Sequence, residues 1–343
     1  MPTRPLLLAA SLADRRATPD HAALTARALV AERAGLDLVV LEAEPLDPLL
    51  VAARLAAQTA SIGIVPVTSA TTTEPFHVST ALATVDVVAR GRAGWVLEVD
   101  AADDVRGTVT WEVPGDVPGD AAEHLEAVRA LWDSWEEGAV IRDTATDRFL
   151  DRDKVHHVDF EGRHLAVRGP SITPRPPQGH PPVLVRVTDE ATFELARAHG
   201  DALLTTDPHL ARGGGEATDR RDGEAATGRD PDDAAAPAGG PGTFAGPVRL
   251  LEVDVDPADL DGLAARLADE HAAGVQGVVL RADDLEGTLA VLLPALAAAG
   301  VRPLAEPGPA PDPTGEHPPV AAPPSLRDRL GLPAATNRFE VPA

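Results

Sequence analysis

The sequence predicts an α/β fold in which eight strands close into a (β/α)8, or TIM, barrel. Three observations predict it. Short runs of Val, Leu, Ile and Ala recur eight times without clean polar alternation, the pattern of strands buried on both faces. Helical patterns lie between most of these runs, so strand and helix alternate. A chain of 343 residues is too long for one small core and suits one large α/β barrel or two domains.

The elements follow in order. The first strand is expected at Leu6–Ser11 and the first helix at Asp20–Ala34, behind Thr18-Pro19. Leu36–Glu42 is followed by Asp47–Gln58, with Asp47 placed as a cap. Ile62–Thr68 leads through Thr71, Thr72 and Thr73 into Pro75–Ala89, whose proline stands where a missing N–H costs little. Gly94–Val99 is the fourth strand. The helix Asp120–Glu137 carries Leu125, Val128, Leu131 and Trp132 at helical spacing. Residues 143–180 form an insertion before the fifth strand, mixed in charged and apolar residues and expected to fold over the barrel. Val183–Thr188 and Asp189–His199, with Asp189 as cap, make the fifth unit. The sixth unit is degenerate. Its strand is Ala202–Thr206, but residues 213–246 are rich in Gly, Asp and Ala and read as a flexible loop. Val248–Val255, Pro257–Ala273, Val275–Arg281 and Leu285–Ala299 complete the barrel, with Asp283 placed as the last cap. Residues 1–304 are expected as a single domain and 305–343 as an extended, Pro-rich tail.

Composition narrows the function classes. A net charge of −24 opposes nucleic-acid binding, which needs a basic face. Without cysteine there are no disulfides, thiolate chemistry or cysteine metal sites. The N-terminal apolar stretch is short and meets Asp14-Arg15-Arg16 at once, which fits a buried strand better than a signal peptide. No apolar run reaches the roughly 18 to 20 residues of a membrane helix. A cytoplasmic protein without membrane or nucleic-acid partners is expected.

In such a barrel the chemistry lies at the C-terminal ends of the strands. Those ends are acidic here: Glu42 and Glu44, Glu98 and Asp100, Asp189, Asp207, Asp254 and Asp256, and Asp283. Arg186 and Arg281 are the cations among them. Paired carboxylates suit a divalent metal or acid–base work on a sugar, while carboxylates that cap helices or face water have no such role. Gly213-Gly214-Gly215 does not join a strand to a helix, so it is not a dinucleotide turn. His156-His157 lacks partners at metal spacing, and no metal site is expected.

Two stretches carry more. "EPFHVSTALATVDVVARGRAGW" (Glu74–Trp95) and "EHLEAVRALWDSWEEGAVIRD" (Glu123–Asp143), the latter continuing into Asp153–Val185 with Val167-Arg168-Gly169-Pro170 and Pro174-Arg175-Pro176-Pro177-Gln178-Gly179, closely resemble the bacterial luciferase-like flavin-dependent monooxygenases. The resemblance is to the branch with the nitrilotriacetate, pristinamycin-forming and dibenzothiophene-sulfone enzymes. Ser325–Glu340 is similar to that branch's C-terminal tail. The resemblance implies a luciferase-like TIM barrel that uses reduced FMN, supplied by a separate flavin reductase, and O2 to oxygenate a small organic substrate. The deazaflavin F420, used by related barrels, stays open as the carrier, as does a homodimer.

Carried over by position, the resemblance implies cofactor contacts at Thr71, Thr72, Glu74 and Thr188, a candidate catalytic His77, and Trp95 as packing. A phosphate at this mouth would need the cation Arg186 or Arg281, or bare amides at a helix N-terminus, so Arg186 is a further cofactor-binding candidate. The sequence also departs from the family. Glu42-Ala43 stands for an Ala-Asp beside the flavin, and Val96 for an Asn after Trp95. The His-x-x-x-Tyr segment is missing, since the chain has no Tyr. Val187-Thr188-Asp189 stands for a Gly-Ser/Ala-Ser turn, and the Asp189 carboxylate would repel a phosphate dianion. A diverged homologue that binds flavin weakly or not at all, serving as a structural or partner subunit, is the alternative. A barrel hydrolase using the mouth carboxylates is a further one.

Overall fold

The computed structural model describes residues 4–13, 21–42, 46–105, 107–213, 246–304 and 323–340. Eight parallel strands close a barrel: β1 (Leu7–Ser11), β2 (Leu38–Leu41), β3 (Gly63–Ser69), β4 (Trp95–Glu98), β9 (Val183–Arg186), β10 (Ala202–Thr205), β11 (Val248–Asp254) and β12 (Gly277–Arg281). Each pairs with its sequence neighbour in the barrel, and β12 closes onto β1 through Leu7↔Gly277 to Ala10↔Leu280. Four short strands, β5 (Val140–Asp143), β6 (Arg148–Leu150), β7 (Phe160–Glu161) and β8 (Ala166–Val167), form two antiparallel pairs in the insertion.

The helices α1 (His21–Arg33), α2 (Pro48–Gln58), α3 (Pro75–Val88), α4 (Ala102–Val105), α5 (Val117–Asp133), α6 (Glu190–His199), α7 (Pro208–Ala211), α8 (Leu260–Ala272), α9 (Leu285–Ala298) and α10 (Leu326–Leu330) follow in chain order. The long helix after the fourth strand is shifted from its expected span. It starts at Val117-Pro118, capped by Asp116, and ends at Asp133. Proline in a first turn loses no intrahelical bond, which places the start three residues early. The expected cap Asp283 is displaced by one residue, since it is Asp284 that accepts from the Gly287 amide. After β10 only the single turn of α7 is described, and the 213–246 loop lies almost wholly outside the described residues.

The strands are buried on both faces. Leu38, Val40, Val65, Val67, Val96, Leu204 and Val279 fill the lumen, while separate apolar clusters seal the sheet against the helices. The lower end of the lumen is stoppered from outside. Residues 326–330 are not extended as expected of the tail but helical, with a Ser325/Asp328 capping box and Gly331 in the left-handed region. A Cβ added at Gly63 or Gly94 would come within 2.9 or 2.7 Å of the Leu326 side chain, so both strands give up their side chains to admit it.

The insertion runs down the outside of α5. Glu123 accepts from the Arg163 and His164 amides, and Trp135 Nε1 donates to Ser171 O at 2.8 Å. It then passes under the barrel. Asp133 there gathers Arg175, His180 and Arg338, and Gln178 links Asp86, Ala93 and the Arg327 amide. A cavity of about 630 Å³ opens in this lower region, between residues 174–179 and the tail, and not at the barrel mouth.

Candidate functional site at the barrel mouth

Helices follow strands, so their N-termini and the strand ends meet at one rim. Its centre is Arg186, the last residue of β9, which reaches across the lumen. Nη2 lies 2.6 Å from Glu42 Oε1 beyond β2, and Nη1 lies 2.7 Å from Glu252 Oε2 on β11. Nε is 2.7 Å from Glu98 Oε1 at the end of β4, a close ion pair without hydrogen-bond alignment. Arg281 completes the group at 3.8 Å from Glu252 and 3.5 Å from Asp254.

Burial pulls the Arg186 pKa down, but Glu252, Glu42 and Glu98 outweigh it and hold the guanidinium above its ordinary range. Burial raises Glu98 and Glu252, with Arg186 pulling the other way. The Glu252 side chain is 1% exposed and its Oε1 has no hydrogen-bond partner. The floor of the mouth thus holds three carboxylates around Arg186, with the Arg281 guanidinium at its edge. Glu252 was not among the strand ends singled out from sequence, because an apolar run with period-2 ambiguity hides which residues face inward. Nor was the metal or sugar chemistry of paired acids specific to these groups, since Glu42, Glu98 and Glu252 are all engaged by Arg186.

The wall between β3 and β4 is cross-linked by hydrogen bonds. Trp95 is fully buried and donates from Nε1 to Thr68 Oγ1 at 2.8 Å. Thr71, 2% exposed, holds the Asp100 amide on its hydroxyl at 3.2 Å, and Ser69 Oγ accepts from the Thr71 and Thr72 amides. Behind them lies His124 on α5, its ring 5.8 Å from Trp95, and burial drives its pKa down to about 4. Glu74 is exposed at the start of α3 and makes no side-chain cap bond. His77 is half exposed, 3.9 Å from Asp47. Neither His77 nor Glu74 reaches the Arg186 group in any described contact. Val96 is buried in the lumen, and Ala43 lies outside the described residues.

Thr188 and Asp189 are exposed, and their turn is closed on itself. The Thr188 and Asp189 amides both donate to Thr192 Oγ1 at 3.1 Å, while the Thr192 amide donates to Asp189 Oδ1 at 2.8 Å. The Thr192 amide and hydroxyl hold the Asp189 carboxyl below the usual carboxylate range, so it is charged at neutral pH. Helix N-termini ordinarily receive phosphate through such amides. Here Asp47, Asp116, Asp189, Asp207 and Asp284 each occupy an amide of the helix they cap. The residues present therefore do not fit the phosphate of a flavin mononucleotide at the fifth strand end.

A family model described as luciferase-like monooxygenase matches residues 4–244. Over 168 residues the chain is 37% identical to a dibenzothiophene-sulfone monooxygenase of Rhodococcus erythropolis, covering 48% of this chain and 37% of that protein. It is 35% identical over 180 residues to nitrilotriacetate monooxygenase component A of Aminobacter aminovorans, covering 51% and 40%. The match thus spans about two fifths of the length of these curated relatives. Among solved structures, an EDTA monooxygenase from Chelativorans sp. BNC1 superposes with a TM-score of 0.70 over 96% of this chain and 99% of that one, at 17% identity, a likeness of fold.

Proposed function

Because this chain belongs to the luciferase-like monooxygenase family, we propose that its barrel mouth is a flavin-dependent monooxygenase site for a small organic substrate. The observation that carries this reading is the wall from β3 through α3 to β4. It frames the Glu74–Trp95 motif and is cross-bonded through Thr68, Trp95, Thr71 and Asp100, with Thr68, Thr71 and Trp95 buried. When bound, the flavin would supply the oxygen chemistry. The chain's own part is to exclude water at this wall and to orient the substrate above the Arg186 group. A relative named as component A fits a two-component system in which a separate reductase would deliver the reduced flavin. FMN is the reference carrier, with F420, on which one solved neighbour of similar fold depends, as the competing one. The setting proposed is a cytoplasmic protein, working as a homodimer.

One observation favours a second reading. Arg186 is saturated by three glutamates and Asp189 caps its own helix, which suits a weakly binding homologue acting as a partner subunit. Anaerobic equilibrium dialysis against reduced flavins separates the two. Micromolar binding of either reduced FMN or reduced riboflavin supports the monooxygenase. Retention of neither at high micromolar concentration removes it and leaves the partner subunit.

A further inference from the structure

We infer that the mouth discriminates against the flavin phosphate, and so takes a phosphate-free flavin in preference to FMN. This rests on the flavin-dependent reading above and sharpens which flavin the site admits. The tricyclic ring is the same in both ligands, so the difference between them is the terminal phosphate, a group carrying nearly two negative charges at neutral pH.

Phosphate recognition needs free amides, a helix N-terminus or an uncommitted cation, and among the described residues at the fifth strand end and the centre of the mouth these are taken. The Thr188, Asp189 and Thr192 amides of the β9–α6 turn are used internally by Thr192 and Asp189. The α6 N-terminus carries the Asp189 carboxylate where an anion would rest. Arg186 is held by Glu42, Glu98 and Glu252, and Arg281 leans on Glu252 and Asp254. Arg27, which reaches the rim from α1, is bound to the carbonyls of Ser11, Ala282 and Asp283. His77 stands beside Asp47. Carboxylates thus answer the dipoles of α2, α5, α6, α7 and α9, while α3 and α8 have no side-chain cap bond. A dianion about 6 Å from one such charge, in a water-like dielectric, is disfavoured by about tenfold.

The test is a pair of fluorescence titrations of the full chain at low salt, one with riboflavin and one with FMN. Riboflavin is expected to bind about tenfold more tightly than FMN, with the gap closing as salt screens the rim. Asp189→Ser keeps an N-cap oxygen but removes the charge, so it should narrow the gap at low salt while leaving riboflavin affinity in place. FMN binding as tightly as riboflavin to the wild-type chain overturns the inference and leaves the flavin-dependent function standing. Binding of neither flavin overturns both.

Discussion

Replacing Arg186 with methionine would leave Glu42, Glu98 and Glu252 facing one another at the centre of the barrel mouth. The magnitude follows from their exposure. Glu252 has a side chain 1% exposed, so removing Arg186 leaves a buried charge with only the more distant Arg281 beside it, a loss of about 3–5 kcal/mol. Glu42 and Glu98 are 28% and 36% exposed, and water screens their share to at most about 1 kcal/mol each. Arg186→Met should therefore destabilise the fold by about 4 kcal/mol at pH 8. The sign with pH is also fixed. Glu98 and Glu252 already have raised pKa values, and losing Arg186 raises them further. A group with a raised folded pKa contributes stability that is lost as pH rises through that value. The penalty should thus shrink towards pH 5. Urea unfolding followed by tryptophan fluorescence at both pH values measures it, with Arg186→Met/Glu252→Gln as the paired variant. A loss below about 1 kcal/mol, a loss equal at pH 5 and pH 8, or no recovery in the double variant would refute the account.

Two further outcomes are expected. Gly94→Ala forces a Cβ to 2.7 Å from Leu326, so it should cost about 1–3 kcal/mol alone but much less in a Leu326→Ala background, and additive losses in denaturant unfolding would contradict the stopper. His124 has its pKa lowered to about 4 by burial, so its stabilising share is present above pH 6.5 and is lost as pH falls through that window, by about 3 kcal/mol. The stability difference between wild type and His124→Gln should shift by that amount between pH 7 and pH 4, and parallel pH curves would count against it.

The barrel was legible in the sequence because strands buried on both faces read as plain apolar runs, and all eight appear where those runs lie. Asp47 and Asp189 were legible as caps because capping is local chemistry. The Arg186 group was not. Glu252 lies inside "LLEVD", and whether it faces the lumen or the helices depends on strand parity, which only the closed register of β11 with β12 sets. The α10 stopper had a local signal in Ser325 and Asp328 three residues apart, but the Pro-rich run before it masked a helix of a single turn. Why Asp189 departs from the family turn was visible as a charge; that it occupies its own helix amide needed coordinates.

Leu326 also bears on the order in which the molecule can be made. Gly63 and Gly94 leave the ribosome early, yet the side chain that fills the space beside them arrives after most of the chain has been synthesised. Contacts so distant along the sequence form slowly. Pulse-labelled hydrogen exchange during refolding should show the Gly94 and Leu326 amides, bonded to Ile64 and Gly91, gaining protection together and late; early protection at Gly94 would contradict this. A nascent chain short of residue 326 would hold not a smaller barrel but one with an open lower end.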